Sequence, residues 1–262
     1  MSSFQLKNSV VVITGASGHL GYIISKAFIE EGSIVVVVGR DFERLKDRFK
    51  SYESNFFKSV YPYACDIQKE EHLDLLVTFI REKFRKVNVL INNAYSGESI
   101  RWFDVKKSDF FKSYDIAVVS PFMLIQKLYP LFEIEKIGHS SIINISSMYG
   151  QVSPDPSIYG ELIPNSIFYG VAKAGLIQLS KYLAVTFAEK GIRVNSISPG
   201  PFPSNSVLIE QPDFIKKLSS KVPMKRIGKP EELVGTVLLL ASPLSSYITG
   251  ENISVDGGWT AW

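Results

Sequence analysis

The sequence predicts an α/β protein in which a single doubly wound parallel sheet of about seven strands is flanked by helices on both faces. Short apolar segments of strand length alternate with segments of helical period along the 262 residues. Several strand segments are apolar at every position, as in "SIVVVVG", which is typical of strands covered on both faces. The chain has no Pro/Gly/Ser-rich linker and no internal repeat, so we expect one domain over residues 1–262.

The predicted elements follow one another in regular alternation. The strands lie in "SVVVITG", "SIVVVVGR", "SVYPYACD", "VNVLINNA", "SSIINISS", "IRVNSISPG" and "NISVDGG". The helices lie in "LGYIISKAFIEEG", in "DFERLKDRFKSY", and over residues 69–84, 109–132, 168–189 and 231–241.

Two stretches interrupt this alternation, near residues 151–167 and 201–229. Both are rich in Pro and Ser and follow the carboxyl end of a predicted strand. Because open α/β sheets bind ligands at that edge, we expect these stretches to be loops that cover the substrate. The alternative is that they are surface insertions without a role in binding.

Composition excludes several classes of protein. The formal net charge is +3 and the basic residues are interspersed with acidic ones, so we expect no nucleic-acid partner. No apolar run reaches the roughly 18 residues of a membrane span and the N-terminus lacks a signal-peptide core, which predicts a cytoplasmic protein without membrane association. Cys65 is the single cysteine, and His19, His72 and His139 are scattered, so we expect no structural metal.

A glycine turn follows the first predicted strand. In "VVVITGASGHLG", Gly15, Gly18 and Gly21 are spaced by three between a strand and a helix. Without side chains the backbone can approach a pyrophosphate, whose charge meets the free N–H groups and the positive end of the helix. This context predicts a Rossmann-type dinucleotide site.

The end of the second strand bears on the choice of dinucleotide. An acidic residue there binds the adenosine ribose hydroxyls, whereas a basic residue accepts a 2′-phosphate. Here Gly39 leaves the acidic position empty and Arg40 follows, with a guanidinium suited to bidentate phosphate contact. The sequence therefore favours NADP(H), and NAD(H) is the alternative if Asp41 binds the ribose in another register.

A tyrosine and a lysine share one face of a predicted helix. Tyr169 and Lys173 stand four residues apart in "NSIFYGVAKAG". An ammonium beside a phenol favours the phenolate, so the pair predicts an acid/base group that exchanges a proton with a substrate hydroxyl. The alternative is an exposed pair at helical spacing without a catalytic role.

Seven segments together resemble the short-chain dehydrogenase/reductase family. They are, in order, "TGASGHLG", "CDI", "NNA", "NISS", "YGVAK", "SPG" and "ITGENISVDGGW". The resemblance covers essentially the whole chain. It implies the Rossmann-type fold, nicotinamide chemistry on a small-molecule substrate, and a homo-oligomer, either a dimer or a tetramer.

The resemblance also implies the roles of individual residues. Ser147, Tyr169 and Lys173 match the catalytic set, with Ser147 assigned because it stands three residues before Gly150. In that set the tyrosine transfers the hydroxyl proton and the serine donates a hydrogen bond to the reacting oxygen. Asn92 would form the floor of the cofactor cleft. The residues implied to bind the cofactor are Gly15, Ser17, Gly18, His19, Leu20, Gly21, Arg40, Asp66, Ile67, Asn93, Ala94, Tyr169, Lys173, Pro199, Gly200, Phe202 and Ser204.

The chain departs from the family pattern at residue 117. Ala117 occupies the position where the family has an asparagine that holds a water in the proton relay. Either Ser113 or Ser120 assists the relay, or turnover is slow, or the protein binds cofactor without catalysis. The last alternative is a catalytically impaired pseudo-enzyme.

Two spacings between motif residues also differ from the family pattern. The glycine spacing is commoner in the branch that acts on nucleotide sugars, which raises the alternative of an NAD-retaining epimerase or dehydratase. Ser147 and Tyr169 are 22 residues apart, so the extra segment "PDPSIYGELIPN" must loop over the active site. Tyr159 in this segment is a second phenol, but Ile163 follows it where the pair would need a lysine.

The insertion resembles that of members linked to bacterial flagellin and surface-glycan biosynthesis, which implies a sugar or sugar derivative as substrate. The leading prediction is therefore an NADP(H)-dependent oxidoreductase that interconverts a secondary alcohol and a ketone. The predicted helices over 109–132 and 168–189 are apolar on more than one face, and Trp259 and Trp262 need cover, which supports a homo-oligomer. The alternative is that these apolar residues belong to the core of one chain.

Overall fold

Seven parallel strands form one sheet in the part of the chain that the structure describes. The structure is a computed structural model and describes residues 4–52, 59–132, 140–160 and 162–262. The strand order is β3-β2-β1-β4-β5-β6-β7, and every neighbouring pair is parallel. The strands are β1 (Val10–Thr14), β2 (Ile34–Gly39), β3 (Val60–Ala64), β4 (Val89–Asn92), β5 (Ser140–Ile145), β6 (Ile192–Pro199) and β7 (Asn252–Val255). The predicted doubly wound α/β fold is confirmed.

Helices connect the strands. They are α1 (His19–Glu30), α2 (Phe42–Phe49), α3 (Glu70–Phe84), α4 (Lys107–Tyr114), α5 (Ser120–Leu128), α6 (Ile167–Phe187), α7 (Asn205–Glu210), α8 (Pro212–Lys221) and α9 (Val234–Ala241). No helix within the described ranges is long and apolar enough to cross a bilayer. The chain runs outward from β1 to β2 and β3, then returns to β4 on the other side of β1, which opens a crevice at the carboxyl ends of β1 and β4.

The sheet has an apolar core on each face. Val11 and Val35 belong to a cluster with α1 and α9, whereas Val12 and Val36 belong to a second cluster with α3 and α5. Successive side chains of a strand point to opposite faces, and both faces are covered here. This explains why the strand segments are apolar at every position.

The predicted helix over residues 109–132 is present, helical from residue 107 to residue 131, but its hydrogen-bond register changes within it. A π-helical turn, Asp115–Val119, separates α4 from α5, and the N–H of Ser120 bonds to the carbonyl of Asp115 five residues back. Pro121 has no N–H to continue the ordinary helical bonds, so the register of the helix shifts beside it. The turn holds Ala117 in the interior.

The second predicted loop, residues 201–229, contains two helices, α7 and α8. It meets the insertion through an ion pair in which Lys221 Nζ lies 2.8 Å from the Asp155 carboxylate. The ring of Tyr159 packs against Phe214 of α8, with centroids 5.3 Å apart. The insertion and the 201–229 segment therefore pack against each other.

Trp259 does not need a partner chain to cover it, which corrects the expectation drawn from the sequence. It is buried in a cluster with Tyr149, Tyr159 and Leu218 of the same chain. The insertion supplies this cover because it folds back onto α8. Trp262 remains exposed.

We expect Gly21→Ala to lower the free energy of unfolding by about 2 kcal/mol or more. A Cβ atom at Gly21 would overlap the carbonyl oxygen of Gly15, which is backbone and cannot move aside. Gly235 in α9 is the matched control, because a Cβ there meets nothing within 4 Å. Gly235→Ala should stabilise the helix by up to about 1 kcal/mol. Urea unfolding of the two variants measures both values, and wild-type stability of Gly21→Ala would contradict the packing of the turn.

Candidate active site

A cleft of about 340 Å³ lies at the carboxyl ends of β1, β2 and β4. Its lining combines the glycine turn, the end of β2, the segment after β3 and the segment after β4. Of the residues predicted to bind a cofactor, the structure places eleven here: Gly15, Ser17, Gly18, His19, Leu20, Gly21, Arg40, Asp66, Ile67, Asn93 and Ala94. These residues come from four separate segments of the sequence.

The glycine turn packs directly on the backbone after β4. Gly15 has a φ of +65°, and a Cβ on it would lie 2.7 Å from the Cα of Ala94. Helix α1 begins at His19 with no side chain capping its first N–H groups. The positive end of the helix therefore faces the cleft, and the turn fits a pyrophosphate.

Asn93, not Asn92, lies at the floor of the cleft. The side-chain amide of Asn93 donates to the carbonyl oxygens of Thr14 and Gly15, each at 3.1 Å. Asn92 points beneath the cleft and donates to Asn144 Oδ1 at 2.8 Å. The expectation for Asn92 is not met, because successive residues of a strand face opposite sides of the sheet.

Two arginines, Arg40 and Arg44, line the cleft near the end of β2. Arg44 was not predicted, although it follows Arg40 by four residues and lies in the first turn of α2. Asp41, the alternative ribose ligand, caps α2 by accepting the N–H of Arg44 at 3.0 Å. Its carboxylate is thereby committed to the helix.

The remaining predicted cofactor residues lie outside this cleft. Gly200 packs on Asp256, where a Cβ would lie 2.5 Å from the Asp256 Cα, and it follows Pro199 at the end of β6. Phe202 lines a separate cavity of about 240 Å³. Ser204 is paired with Ser206 through their hydroxyls at 2.9 Å.

His19 lies beside the cleft without a catalytic partner. Burial and the nearby Arg48 guanidinium lower the pKa of His19, and the Glu231 carboxylate opposes this effect. The imidazole is therefore mostly neutral at neutral pH. Among the residues that the structure describes, no cluster of His, Cys, Asp and Glu could hold a metal ion.

The structure brings Ser147, Tyr169 and Lys173 together at the edge of the cleft. Ser147 follows β5, and its hydroxyl, which accepts the N–H of Tyr149 at 3.1 Å, lies near enough to Tyr169 in the first turn of α6 to lower the pKa of that phenol. Lys173, one turn later, is buried and donates from Nζ to the carbonyl of Ile145 at 2.7 Å. Its Nζ lies 5.9 Å from the centroid of the Tyr169 ring.

Burial dominates the charge states of this pair. It raises the pKa of Tyr169 above its ordinary value, against a smaller lowering by the nearby Ser147 hydroxyl. It also lowers the pKa of Lys173 to about 7. That Lys173 favours the phenolate of Tyr169 stays a prediction, since the buried amine is itself only partly protonated at neutral pH.

Tyr95 is a residue of the site that sequence reasoning missed. It lines the cleft and packs edge-to-face with Tyr169, with ring centroids 4.9 Å apart. Its hydroxyl lies 2.9 Å from that of Ser113. Ser113 therefore contacts Tyr95, and not Lys173 as a direct relay would require. The signal available was its position directly after "NNA".

Tyr159 in the insertion is not part of an acid/base pair. Its hydroxyl lies 2.6 Å from that of Tyr149, and both rings are buried. Tyr169 packs against the same cluster, so the insertion covers one side of the catalytic set. The insertion also borders a largely apolar cavity of about 620 Å³ with Trp102 and Phe103.

The chain is similar to known proteins over nearly its whole length. The family model described as enoyl-(acyl carrier protein) reductase matches residues 15–260. Ribulose-forming D-arabinitol 2-dehydrogenase of Candida albicans is 32% identical, over 99% of this chain and 95% of the relative. The 3alpha-hydroxysteroid dehydrogenase of Mediterraneibacter gnavus is 30% identical, over 97% of each chain.

Solved structures agree with these relatives. A short-chain dehydrogenase from Leptospira borgpetersenii with bound NAD+ has a TM-score of 0.84 and 29% identity, covering 97% of this chain and 94% of that one. The Pseudomonas aeruginosa RhlG/NADP active-site complex has a TM-score of 0.87 and 28% identity, covering 99% of each chain. The chain belongs to the short-chain dehydrogenase/reductase family, and it is an NAD(P)-dependent oxidoreductase acting on CH–OH groups.

Proposed function

We propose that the chain interconverts a secondary alcohol and a ketone with NADP(H), using Ser147, Tyr169 and Lys173. The observation that carries this proposal is the meeting of these three residues at the edge of the cleft. Tyr95 lines the cleft and its ring contacts Tyr169, so the catalytic set adjoins the place where a cofactor would lie. The described segments pack around one sheet, which supports a single dinucleotide-binding domain over residues 1–262.

Each residue has a defined role in this proposal. When bound, the nicotinamide group accepts or supplies a hydride. Tyr169 takes the hydroxyl proton during oxidation and returns it during reduction, and Ser147 donates a hydrogen bond to the reacting oxygen. The positive charge of Lys173 stabilises the phenolate form of Tyr169.

The remaining site residues hold the cofactor. The glycine turn at Gly15, Gly18 and Gly21 would hold the pyrophosphate, and Asp66 and Ile67 would border the adenine. The loop after β6 lies outside the cleft and would have to approach the nicotinamide from there. It carries the remaining predicted cofactor residues, Pro199, Gly200, Phe202 and Ser204.

Two observations support NADP(H) over NAD(H). Arg40 and Arg44 both line the cleft near the end of β2, and guanidinium groups suit a 2′-phosphate. Asp41 already caps α2, so the acidic group next to the site is engaged. The similar solved structures contain either cofactor, NAD+ in the Leptospira borgpetersenii protein and NADP in RhlG, so the choice rests on these two observations.

A sugar or sugar alcohol is the proposed class of substrate. D-arabinitol 2-dehydrogenase, a relative over nearly its full length, acts on a sugar alcohol by its name. The insertion covers one side of the catalytic set and carries the polar side chains of Ser157 and Asn165. A second candidate, a pseudo-enzyme that binds cofactor without turnover, is favoured only by Ala117.

We also propose a homo-oligomer. An apolar strip crosses the outer faces of α4 and α6, where Phe111, Val171, Tyr182 and Val185 are 64%, 51%, 71% and 81% exposed. Exposed apolar surface of this extent on adjacent helices is typical of an interface.

Tyr169→Phe should lower kcat/KM by about 100- to 10 000-fold, because it removes the proton-transferring hydroxyl and keeps the ring. Tyr159→Phe is the matched control and should stay within about threefold of wild type, since that hydroxyl is buried and bonded to Tyr149, away from the proton-transferring hydroxyl. The assay follows NADPH absorbance with ribulose, other keto sugars and small ketones. Equal rates for Tyr169→Phe and wild type would refute the assignment, and tight NADPH binding without turnover of any substrate would favour the pseudo-enzyme.

Arg40→Ala should raise the Kd for NADP(H) by about 10- to 100-fold, because it removes a charged hydrogen bond to the 2′-phosphate. The Kd for NAD(H) should change little. Lys46→Ala removes the same charge from α2 outside the cleft and should leave both values unchanged. Titration by fluorescence gives both constants, and an equal loss for the two cofactors would count against a 2′-phosphate contact.

Val185→Asp should shift the protein toward smaller species, because a carboxylate would be buried at the proposed interface. Leu75→Asp, on the similarly exposed outer face of α3, should leave the assembly unchanged. Sedimentation velocity compares the two variants with wild type. A monomeric wild type would rule out the oligomer.

A further inference from the structure

Tyr95 stands between the cofactor cleft and the proposed acid/base pair. It follows Ala94 after β4, and its ring contacts the ring of Tyr169. Lys173 Nζ lies 5.1 Å from the centroid of the Tyr95 ring, closer than the 5.9 Å that separates it from the centroid of the Tyr169 ring. A single aromatic side chain thus contacts both members of the pair.

Two hydrogen bonds hold the Tyr95 ring in place. Ser113 Oγ lies 3.1 Å from the carbonyl oxygen of Phe168, which can only accept. Since the serine hydroxyl has one hydrogen, the Tyr95 hydroxyl is the donor in its bond to Ser113. Phe168 immediately precedes Tyr169, so this chain of bonds ties the end of β4 to the turn of α6 that carries the phenol.

Ala117 belongs to the apolar cluster on which this ring packs. Tyr95 packs against a cluster of Ala117, Val118, Ala172 and Leu176. Ala117 is only 1% exposed, so a larger side chain there would have to displace its neighbours in this cluster.

The Lys173 ammonium has few groups to compensate its burial. It donates to the Ile145 carbonyl, and no described carboxylate forms an ion pair with it. The other groups that face it are the rings of Tyr95 and Tyr169. An aromatic face attracts a desolvated cation, so the Tyr95 ring supplies part of what water would otherwise provide.

We propose that Tyr95 is a positioning residue that holds the Lys173 ammonium and the Tyr169 ring in their working arrangement, supported by the apolar cluster that includes Ala117. Its effect on catalysis rests on the proposed function, whereas its contact with Lys173 does not. Replacing the Tyr95 ring by an aliphatic side chain should make the Lys173 ammonium less favourable relative to the neutral amine. It should therefore reduce the positive charge beside Tyr169 at neutral pH.

The charge state of Lys173 can be read from the pH dependence of unfolding. Burial lowers its pKa from 10.5 to about 7. Between these values the unfolded chain binds one more proton than the folded chain, so stability rises with pH by up to about tenfold in the equilibrium constant per unit. Below the folded pKa this slope disappears. Lys173→Met removes the part of the slope that Lys173 contributes. Subtracting the unfolding free energies of Lys173→Met from those of the wild type therefore cancels the contributions of other titratable groups.

The test compares Tyr95→Leu with Tyr95→Phe, each with and without Lys173→Met, in cofactor-free protein from about pH 5.5 to pH 9.5. Tyr95→Phe keeps the aromatic face, so the pH at which the slope begins should match wild type. Tyr95→Leu should lower that pH by about one unit, a tenfold change in proton affinity. Tyr247→Leu, at a fully exposed tyrosine, is the control and should change nothing.

If the pH at which the slope begins is the same in Tyr95→Leu as in the wild type, the proposal is overturned. Tyr95→Met allows the same measurement if the leucine variant does not fold. In the holoenzyme, Tyr95→Leu should also raise the apparent pKa of the basic group in the kcat/KM profile, whereas Tyr95→Phe should not. If Tyr95→Leu shifts the pH at which the stability slope begins but the wild type turns over no substrate, the contact between Tyr95 and Lys173 is supported and the proposed function is defeated. If the wild type turns over substrate and that pH does not shift, the proposed function is supported and the role of Tyr95 is defeated.

Discussion

The arrangement of the site depends on the close approach of two backbone segments, the turn after β5 and the first turns of α6. A Cβ on Gly150 would lie 2.9 Å from the carbonyl carbon of Lys173, and one on Gly170 would lie 2.7 Å from the Tyr149 carbonyl oxygen. Ser146 Oγ closes the contact by donating to the Lys173 carbonyl at 2.9 Å. Because no side chain separates the segments, Ser147 on one of them meets Tyr169 on the other.

The close approach of these two segments also buries the ionisable groups of Tyr169 and Lys173. Lys173 reaches the carbonyl of Ile145 only by being buried, and burial disfavours both the ammonium and the phenolate of Tyr169. Packing that positions the pair thus opposes its ionisation within the protein. The contacts around the pair, including the Tyr95 ring, then decide how much positive charge remains near the phenol.

Departures from the family pattern are connected with one another in three dimensions. Ala117 looks like the loss of a functional group when only its own position is considered. In the fold it belongs to the apolar cluster against which Tyr95 packs, and the Tyr95 hydroxyl reaches Ser113. The long insertion is likewise matched by α8 and Trp259, against which Tyr159 and its neighbours pack. These two departures therefore lie in packed clusters that include residues distant in the sequence.

The sequence by itself determined the features that depend on local pattern. The alternation of apolar runs predicted the sheet, the glycine spacing predicted the turn at Gly15, and the helical spacing placed Tyr169 beside Lys173. These follow from periods of two and 3.6 residues and from the conformational freedom of glycine. They need no knowledge of distant contacts.

Only the tertiary structure decided which distant residues meet. It placed Asn93 at the cleft in place of Asn92, engaged Asp41 as a helix cap, and covered Trp259 within one chain. It also brought Tyr95 onto a lysine 78 positions later in the sequence. Such contacts, and the pKa shifts that burial causes, depend on packing between elements, which no local pattern contains.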